Sequence, residues 1–114
     1  MSHLIALNPA GEPEWEPIAP DRVVEGTPVT RVWVQYDNPA EKLSAGIWEA
    51  SPGKWRISYT EWEHVRVLSG RCTLSGDDGS RLSAGPGDAF VIAPGFTGPW
   101  EVLETMRKQW VIRE

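Results

Sequence analysis

The stretch KWRISYTEWEHVRVLS (54–69) decides the fold class of this chain. It is the longest stretch without Gly or Pro, and its apolar residues Trp55 and Ile57, then Val65 and Val67, recur at a spacing of two. This spacing places side chains on one face of a β-strand, whereas no segment of the chain has the i, i+3, i+4, i+7 apolar stripe of a helix. The stretch therefore predicts β-strands with one buried face.

Short β-rich segments, separated by turn signals, extend on both sides of this stretch. The segments are TRVWVQY (30–36), LSAGIWEA (43–50), WRISY (55–59), HVRVL (64–68), RCTLS (71–75), DAFVIA (88–93) and KQWVI (108–112). The turn signals are NP (38–39), SPG (51–53), SG (69–70), DDG (77–79), GPG (85–87) and PG (94–95). The spacing is typical of an all-β barrel or sandwich. The DDG predicts a tight hairpin, because Gly after Asp supplies a positive φ, and one short helix is expected around 39–43.

The first 22 residues predict an extended arm that precedes a barrel domain over 23–114. Four prolines stand in the arm, at Pro9, Pro13, Pro17 and Pro20. Such a density of proline excludes a helix or a central strand. Trp15 and Ile18 are apolar residues that a freely moving tail does not need, so we expect the arm to lie on a surface, either of its own barrel or of a partner subunit.

The charge and composition exclude several classes of protein. The 114 residues carry a net charge of −5, which disfavours nucleic acid as a partner because phosphate binding needs clustered Lys and Arg. No apolar run approaches the roughly 18–20 residues of a membrane span, so no membrane is expected either. The single Cys72 cannot form an internal disulfide and the chain starts without a basic, then apolar, leader, so a cytoplasmic location is expected.

Most patterns of catalytic and metal-binding residues are missing from the sequence. The two histidines are His3, in the arm, and His64, so a site of three or four imidazoles cannot form within one chain. One Cys excludes a thiolate zinc site, and neither a Gly-rich phosphate loop nor a G-x-S-x-G elbow is present. Cys72 is in phase with Leu74, and we interpret it as a small buried apolar residue rather than a nucleophile.

Five segments carry a resemblance to a known family. They are GIWEASPGKW (46–55), WEHVRVLSG (62–70), GPGDAFVIAPGF (85–96), PWEVLE (99–104) and RKQWVI (107–112). Together they resemble the two-part signature of the cupin superfamily. Within it the chain is similar to the small single-domain group related to the cupin domain of ureidoglycine aminohydrolase and to the ethanolamine-utilisation Q-type proteins. The resemblance covers roughly 23–112 and implies an RmlC-like jelly-roll barrel of two antiparallel sheets.

The resemblance also implies a metal site whose ligands are missing from this chain. Metal-binding cupins hold the ion with three histidines and one carboxylate. Aligned on Glu63, the first two histidine positions fall on Ile57 and Tyr59, or one residue earlier, and the last falls on Gly98. Only the carboxylate of Glu63 remains, and it cannot by itself hold a Mn, Fe or Ni ion. We therefore expect no metal, no cofactor and no metal-dependent dioxygenase or isomerase chemistry.

Glu63 is the one acidic residue left at that site. If Glu63 points into the barrel, strand alternation turns His64 outward, so we interpret His64 as a surface or interface residue and not as a ligand. An acidic side chain inside a barrel needs a partner. That partner is either a cation of a ligand or one of Lys108, Arg56 and Tyr59. A Glu63–Lys108 ion pair is the simplest substitute for the lost metal.

The predicted ligand-binding residues surround Glu63 and include three aromatic types. They are Tyr59, Glu63, Trp48, Phe90, Trp100 and Lys108. Trp100 stands two residues beyond Gly98, so it shares the face of the vacated histidine position. The indoles either form an aromatic cage that stacks on a small ligand, or simply fill a barrel that lacks a metal.

Two hypotheses about function remain open at this point. The preferred one is a metal-independent small-molecule binding or accessory module, with the ligand inside the barrel. The alternative is a small aminohydrolase-like or isomerase-like enzyme, with Glu63 as catalytic general acid or base and Lys108 or Tyr59 as its partner. The strand TRVWVQY would leave a long open sheet edge, which predicts a homodimer.

Overall fold

The computed structural model describes residues 3–8 and 10–114 and confirms the all-β class. Over these residues the chain has nine strands and one turn of 3-10 helix, Pro39–Glu41, where the sequence predicts a short helix. The strands are β1 (Glu16–Pro17), β2 (Val23–Glu25), β3 (Val29–Asn38), β4 (Leu43–Ala50), β5 (Gly53–Ser58), β6 (Trp62–Ser75), β7 (Arg81–Ala84), β8 (Ala89–Ile92) and β9 (Thr97–Arg113). No helix within the described ranges is long and apolar enough to cross a membrane.

Two long strands, β6 and β9, form the spine of the fold and pair antiparallel along most of their length. The other edge of β9 carries β5 beside residues 97–102 and β4 beside residues 106–113. The other edge of β6 carries β8 and then β7. The sheet therefore has two halves joined by the spine: a first half with β1, β3, β4 and β8, and a second half with β2, β5 and β7. Side chains from both halves pack into one core.

The predicted turn at Ser69–Gly70 is wrong, because β6 runs through it without a break. The pairing of β6 with β9 shifts register between Val67 and Cys72, and Gly70 has a φ of 81° at the centre of this bulge. A Cβ on Gly70 would meet the backbone of Thr105 and Met106 in β9. A Ser-Gly pair indicates that regular strand pairing is interrupted, and the interruption can be either a turn or a β-bulge. Here the bulge carries β6 from the first sheet half to the second.

The structure confirms the predicted hairpin and the predicted strand faces. The strands β6 and β7 pair from Cys72 to Ser75, and Gly79 in the turn has a φ of 91°. Glu63 is buried together with Val65 and Val67, whereas the alternate residues of β6 face the outside of the barrel. The sequence pattern of residues 108–112, however, indicates only the end of β9, which begins at Thr97.

The arm lies against its own barrel. The indole N–H of Trp33 donates a hydrogen bond of 2.9 Å to the carbonyl oxygen of Gly11, and the guanidinium of Arg31 stacks over the ring of Trp15 at 4.4 Å. Further along, β1 pairs with the start of β3, and Ile18 packs against the core. Pro9 lies outside the described residues. From Gly11 onward the arm thus contacts the surface of its own barrel.

Candidate functional site

The buried ion pair expected between Glu63 and Lys108 is present. The Nζ atom of Lys108 lies 3.0 Å from Oε2 of Glu63, and the two residues are only 4% and 2% exposed. Glu63 comes from the first half of β6, and Lys108 from the part of β9 that pairs beside Val67. Both side chains point inward because they share the inner face of adjacent strands. Each charge therefore has an opposite charge in contact inside the core.

Tyr59 completes the hydrogen bonds of the Glu63 carboxylate. The residue follows β5, and its Oη donates to Oε1 of Glu63 at 2.5 Å. Its backbone is fixed by the turn after β8, since its N–H donates to the carbonyl of Phe96 and its carbonyl accepts from the N–H of Gly95. Burial, and then the negative charge of Glu63, raise the pKa of Tyr59 well above its usual value. The phenol therefore stays protonated at neutral pH and acts as a donor to Glu63.

Two indole rings surround the ammonium group of Lys108. Its Nζ lies 4.4 Å from the ring centroid of Trp48 and 4.5 Å from that of Trp100. The two rings meet edge to face at 5.5 Å, and Trp55 lies 6.2 Å from Trp48. Both distances to Lys108 are within the range of cation–π attraction, which strengthens when the cation is shielded from water. The indoles thus hold the ammonium in place while keeping most water away from it.

These residues border a cavity of about 450 Å³, which we name the barrel cavity. Of the six predicted ligand-binding residues, four line it: Trp48, Tyr59, Trp100 and Lys108. Glu63 lies behind Tyr59 and Lys108 and is not part of the lining. Phe90 packs on Trp100, with ring centroids 6.2 Å apart, and lines a different cavity. The structure therefore brings five of the predicted residues together at the barrel cavity, whereas Phe90 contacts one of them, Trp100, but does not line that cavity.

The barrel cavity also has wall residues that sequence reasoning did not identify as site residues. They are Ile18, Arg22, Thr30, Trp55, Ile57, Ser58 and Glu61. Ile18 and Arg22 belong to the arm, where Arg22 is fixed by a hydrogen bond from its Nε to the carbonyl of Arg56 at 3.1 Å. For these two arm residues, the only signal in the sequence was the apolar character of Ile18, which indicates contact with a surface. The path of an irregular segment cannot be predicted from periodicity. The mouth of the cavity thus has one basic and one acidic residue, Arg22 and Glu61.

The residues present do not fit a transition metal ion at the position that the cupin resemblance implies. Gly98 stands at the third histidine position, and a Cβ there would overlap the carbonyl oxygen of Ser75. The carboxylate of Glu63 already accepts from Lys108 and Tyr59, and the nearby ammonium would repel a cation. Within residues 3–8 and 10–114, no group of three or more His, Cys, Asp or Glu side chains could hold a metal ion.

Cys72 is buried in the core, in agreement with its interpretation as a small apolar residue. Burial raises the pKa of its thiol to about 11, against a smaller opposing effect of the Lys108 charge. A thiol with such a pKa is almost entirely protonated at neutral pH and is a poor nucleophile.

Comparison with known proteins agrees with this description. The model of the EutQ-like cupin domain matches residues 38–110, and no curated protein matches the chain. A protein of unknown function in the DUF861 family, from Pseudomonas syringae, superposes with a TM-score of 0.77 at 24% identity, over 98% of this chain and 46% of that one. The EutQ protein of Clostridium difficile superposes with a TM-score of 0.68 at 20% identity, over 75% of this chain and 63% of that one.

A shorter protein is matched over nearly its whole length. A DUF861 protein of Thermotoga maritima superposes with a TM-score of 0.55 at 25% identity, over 70% of this chain and 97% of that one. This chain spans about half of the Pseudomonas protein and less than two thirds of the Clostridium protein. These structures show the fold, and the family model confirms the resemblance to EutQ-type cupins. None of the comparisons assigns an activity.

Proposed function

This chain belongs to the EutQ-like cupin domain family, and on that premise we propose that it is a metal-independent module that binds a small polar molecule in the barrel cavity. One observation carries the proposal: the Lys108 ammonium lines a cavity of about 450 Å³, between two indole rings and against Glu63. That volume lies within the roughly 300–1,000 Å³ typical of small-molecule sites. We place the module in the cytoplasm, on the evidence of its single cysteine.

The chemistry of the wall limits the kind of ligand. An ammonium group has three donor hydrogens, and the carboxylate of Glu63 takes one of those of Lys108. The others are available to an acceptor atom of the ligand, such as a carbonyl, hydroxyl or carboxylate oxygen. The indole of Trp48 offers a flat apolar surface beside that acceptor. A compact molecule with a polar acceptor and a flat or ring-shaped body fits this wall.

The alternative candidate is an acid–base enzyme of the aminohydrolase or isomerase type. The observation in its favour is the 2.5 Å hydrogen bond between Oη of Tyr59 and Oε1 of Glu63, because it connects a buried carboxylate to a group on the cavity wall. In such an enzyme Glu63 would exchange protons with the substrate through Tyr59. The raised pKa of Tyr59 opposes this, since a phenol that holds its proton firmly is a weak acid.

A thermal-shift screen of amines, ureides, sugars and carboxylic acids tests the proposal. A ligand present at a hundred times its Kd raises the free energy of unfolding by about 2.7 kcal/mol. The variants Trp48→Phe and Tyr59→Phe are expected to lose most of the stabilisation produced by a hit, and Arg113→Gln, exposed at the end of β9, serves as the control. A complete screen without a hit, or hits that all three variants bind equally well, would count against the barrel cavity.

Two further measurements separate the alternatives. Conversion of a hit into a product, followed by NMR, would favour the enzyme over the binding module. Elemental analysis of the purified protein tests metal independence, and a stoichiometric transition metal would overturn it.

We also propose that the chain forms a homodimer through the free edge of β3. The arm strand β1 pairs only with Val29 and Thr30 of this edge, and no other described strand pairs with the rest of it, although Trp15 and Gly11 of the arm contact the side chains of Arg31 and Trp33. Val32 and Val34, on the part of the edge that no strand pairs with, are 46% and 61% exposed. An open edge with exposed apolar side chains favours pairing with another chain.

The expected result for Val34→Lys is loss of this dimer, because the two copies of the new ammonium would approach each other across the edge. Light scattering on wild-type protein at micromolar concentration should give twice the mass of one chain, and the variant should give the mass of one. Leu103→Lys, which changes an apolar residue 51% exposed in β9, should leave the dimer intact. A wild-type monomer would refute the proposed dimer.

A further inference from the structure

A second cavity, which we name the edge cavity, is bordered by β6, β7 and β8 and has a volume of about 470 Å³. The strands β7 and β8 pair along the same edge of β6, and no other strand of the described chain pairs with either. The cavity is lined by Leu74 and Leu82 from the second sheet half and by Phe90 and Ile92 from the first. It thus lies where the two halves separate.

The lining of the edge cavity is mostly apolar. Phe96, from the turn after β8, adds a second aromatic ring to that of Phe90. Leu82 is 38% exposed and Val91 is 48% exposed, so large apolar side chains meet water in a concave surface. Concave apolar surfaces of this size are typical of sites that bind small molecules.

One cation at the rim of the edge cavity has no partner. Among the described residues, the guanidinium of Arg81 makes no hydrogen bond, ion pair or ring contact, although the residue lines the cavity and its backbone pairs with that of Ser75. The neighbouring carboxylate of Asp78 is occupied within its own turn, where its Oδ1 accepts from the backbone N–H and the hydroxyl of Ser80. A guanidinium pairs in a bidentate manner with carboxylates. Arg81 is therefore available to bind an acid group beside the apolar wall.

We propose that the edge cavity is a second ligand site, for an amphipathic monocarboxylic acid. Its aryl or alkyl body packs against Phe90 and Phe96, and its carboxylate pairs with Arg81. The site is separate from the barrel cavity, with which it shares no lining residue. Contact between the rings of Phe90 and Trp100 nevertheless joins the two, since Trp100 belongs to the wall of the barrel cavity.

Titration of the full chain with phenylbutyrate, followed in the indole N–H region of a ¹⁵N NMR spectrum, tests the proposal. We expect saturable binding that shifts the signal of Trp100 more than that of Trp15, which lies in the arm. Arg81→Gln should weaken binding about tenfold, as expected for loss of one charge-assisted pair. Phenylbutanol, which has the same body without the acid, should bind the wild type and Arg81→Gln equally weakly.

A second variant tests the apolar wall of the edge cavity, and a control variant tests whether phenylbutyrate binds in the barrel cavity instead. Leu82→Asn changes a half-exposed wall residue and should weaken both phenylbutyrate and phenylbutanol. Arg22→Gln, at the mouth of the barrel cavity, should leave the affinity for phenylbutyrate unchanged. The proposal is overturned if the wild type shows no saturable binding, or if Arg22→Gln weakens binding and Arg81→Gln does not.

Discussion

Replacing Lys108 with Met is expected to lower the free energy of unfolding by about 3–5 kcal/mol, although the two side chains have similar volumes. The variant leaves the carboxylate of Glu63, which is 2% exposed, without the ammonium that lies 3.0 Å from it. Removal of one partner of a buried ion pair is costly because the remaining charge stays desolvated. The cation–π contacts with Trp48 and Trp100 are lost at the same time. Urea unfolding of the wild type and the variant measures the difference.

The double variant Glu63→Gln/Lys108→Met is the matched control. Gln has the size of Glu, carries no charge and still offers an oxygen to the hydroxyl of Tyr59. Because a buried pair replaced by neutral residues of the same volume is often close to neutral, the double variant should regain most of the lost stability. Equal losses in the single and double variants would mean that packing, and not charge, explains the effect of Lys108.

Replacing Gly70 with Ala is expected to lower the free energy of unfolding by about 3–5 kcal/mol. This loss has two causes, the strain of a side chain at positive φ and the overpacking of its Cβ. At a φ of 81° a Cβ meets its own backbone, and here it would also meet the backbone of Thr105 and Met106. Neither backbone can move without breaking the pairing of β6 with β9. The free energy of unfolding in urea is again the measurement.

Gly79→Ala separates these two causes. Gly79 has a φ of 91° in the turn between β6 and β7, and a Cβ there would have no atom within 4 Å. Its substitution should therefore lower the free energy of unfolding only by the strain of a side chain at positive φ, about 1–2 kcal/mol. If Gly70→Ala were no more harmful than Gly79→Ala, the close approach of β6 and β9 at the bulge would not matter for stability.

The fold class and the centre of the site could be predicted from the sequence because both depend on local periodicity. Alternation turns Glu63 inward once Val65, two residues further along the strand, is known to be buried. A buried carboxylate needs a partner, and Lys108 was among the few candidates. The bulge at Gly70 could not be distinguished from a turn, since glycine supplies a positive φ to both. Only the pairing partner decides between them, and that partner lies more than thirty residues away.

The positions of Phe90 and Arg22 could not be predicted for the same reason, because they depend on contacts between residues far apart in the sequence. Phe90 pairs with the buried Val65 and shares its inward face, but β8 is an edge strand, so the ring reaches the edge cavity instead of the barrel cavity. Arg22 lies in an irregular segment whose path is set by its contacts with β5. Periodicity gives the face of a strand; it does not give the position of the strand in the sheet or the path of a loop.

The arm contributes to the wall of the barrel cavity from outside the long strands of the barrel. Ile18 and Arg22 both contribute to the wall of the barrel cavity, but only Ile18 also packs against the core. Arg22, which is exposed and lies outside the core, is therefore a position where the charge on the cavity wall can change with little effect on the packing of the barrel.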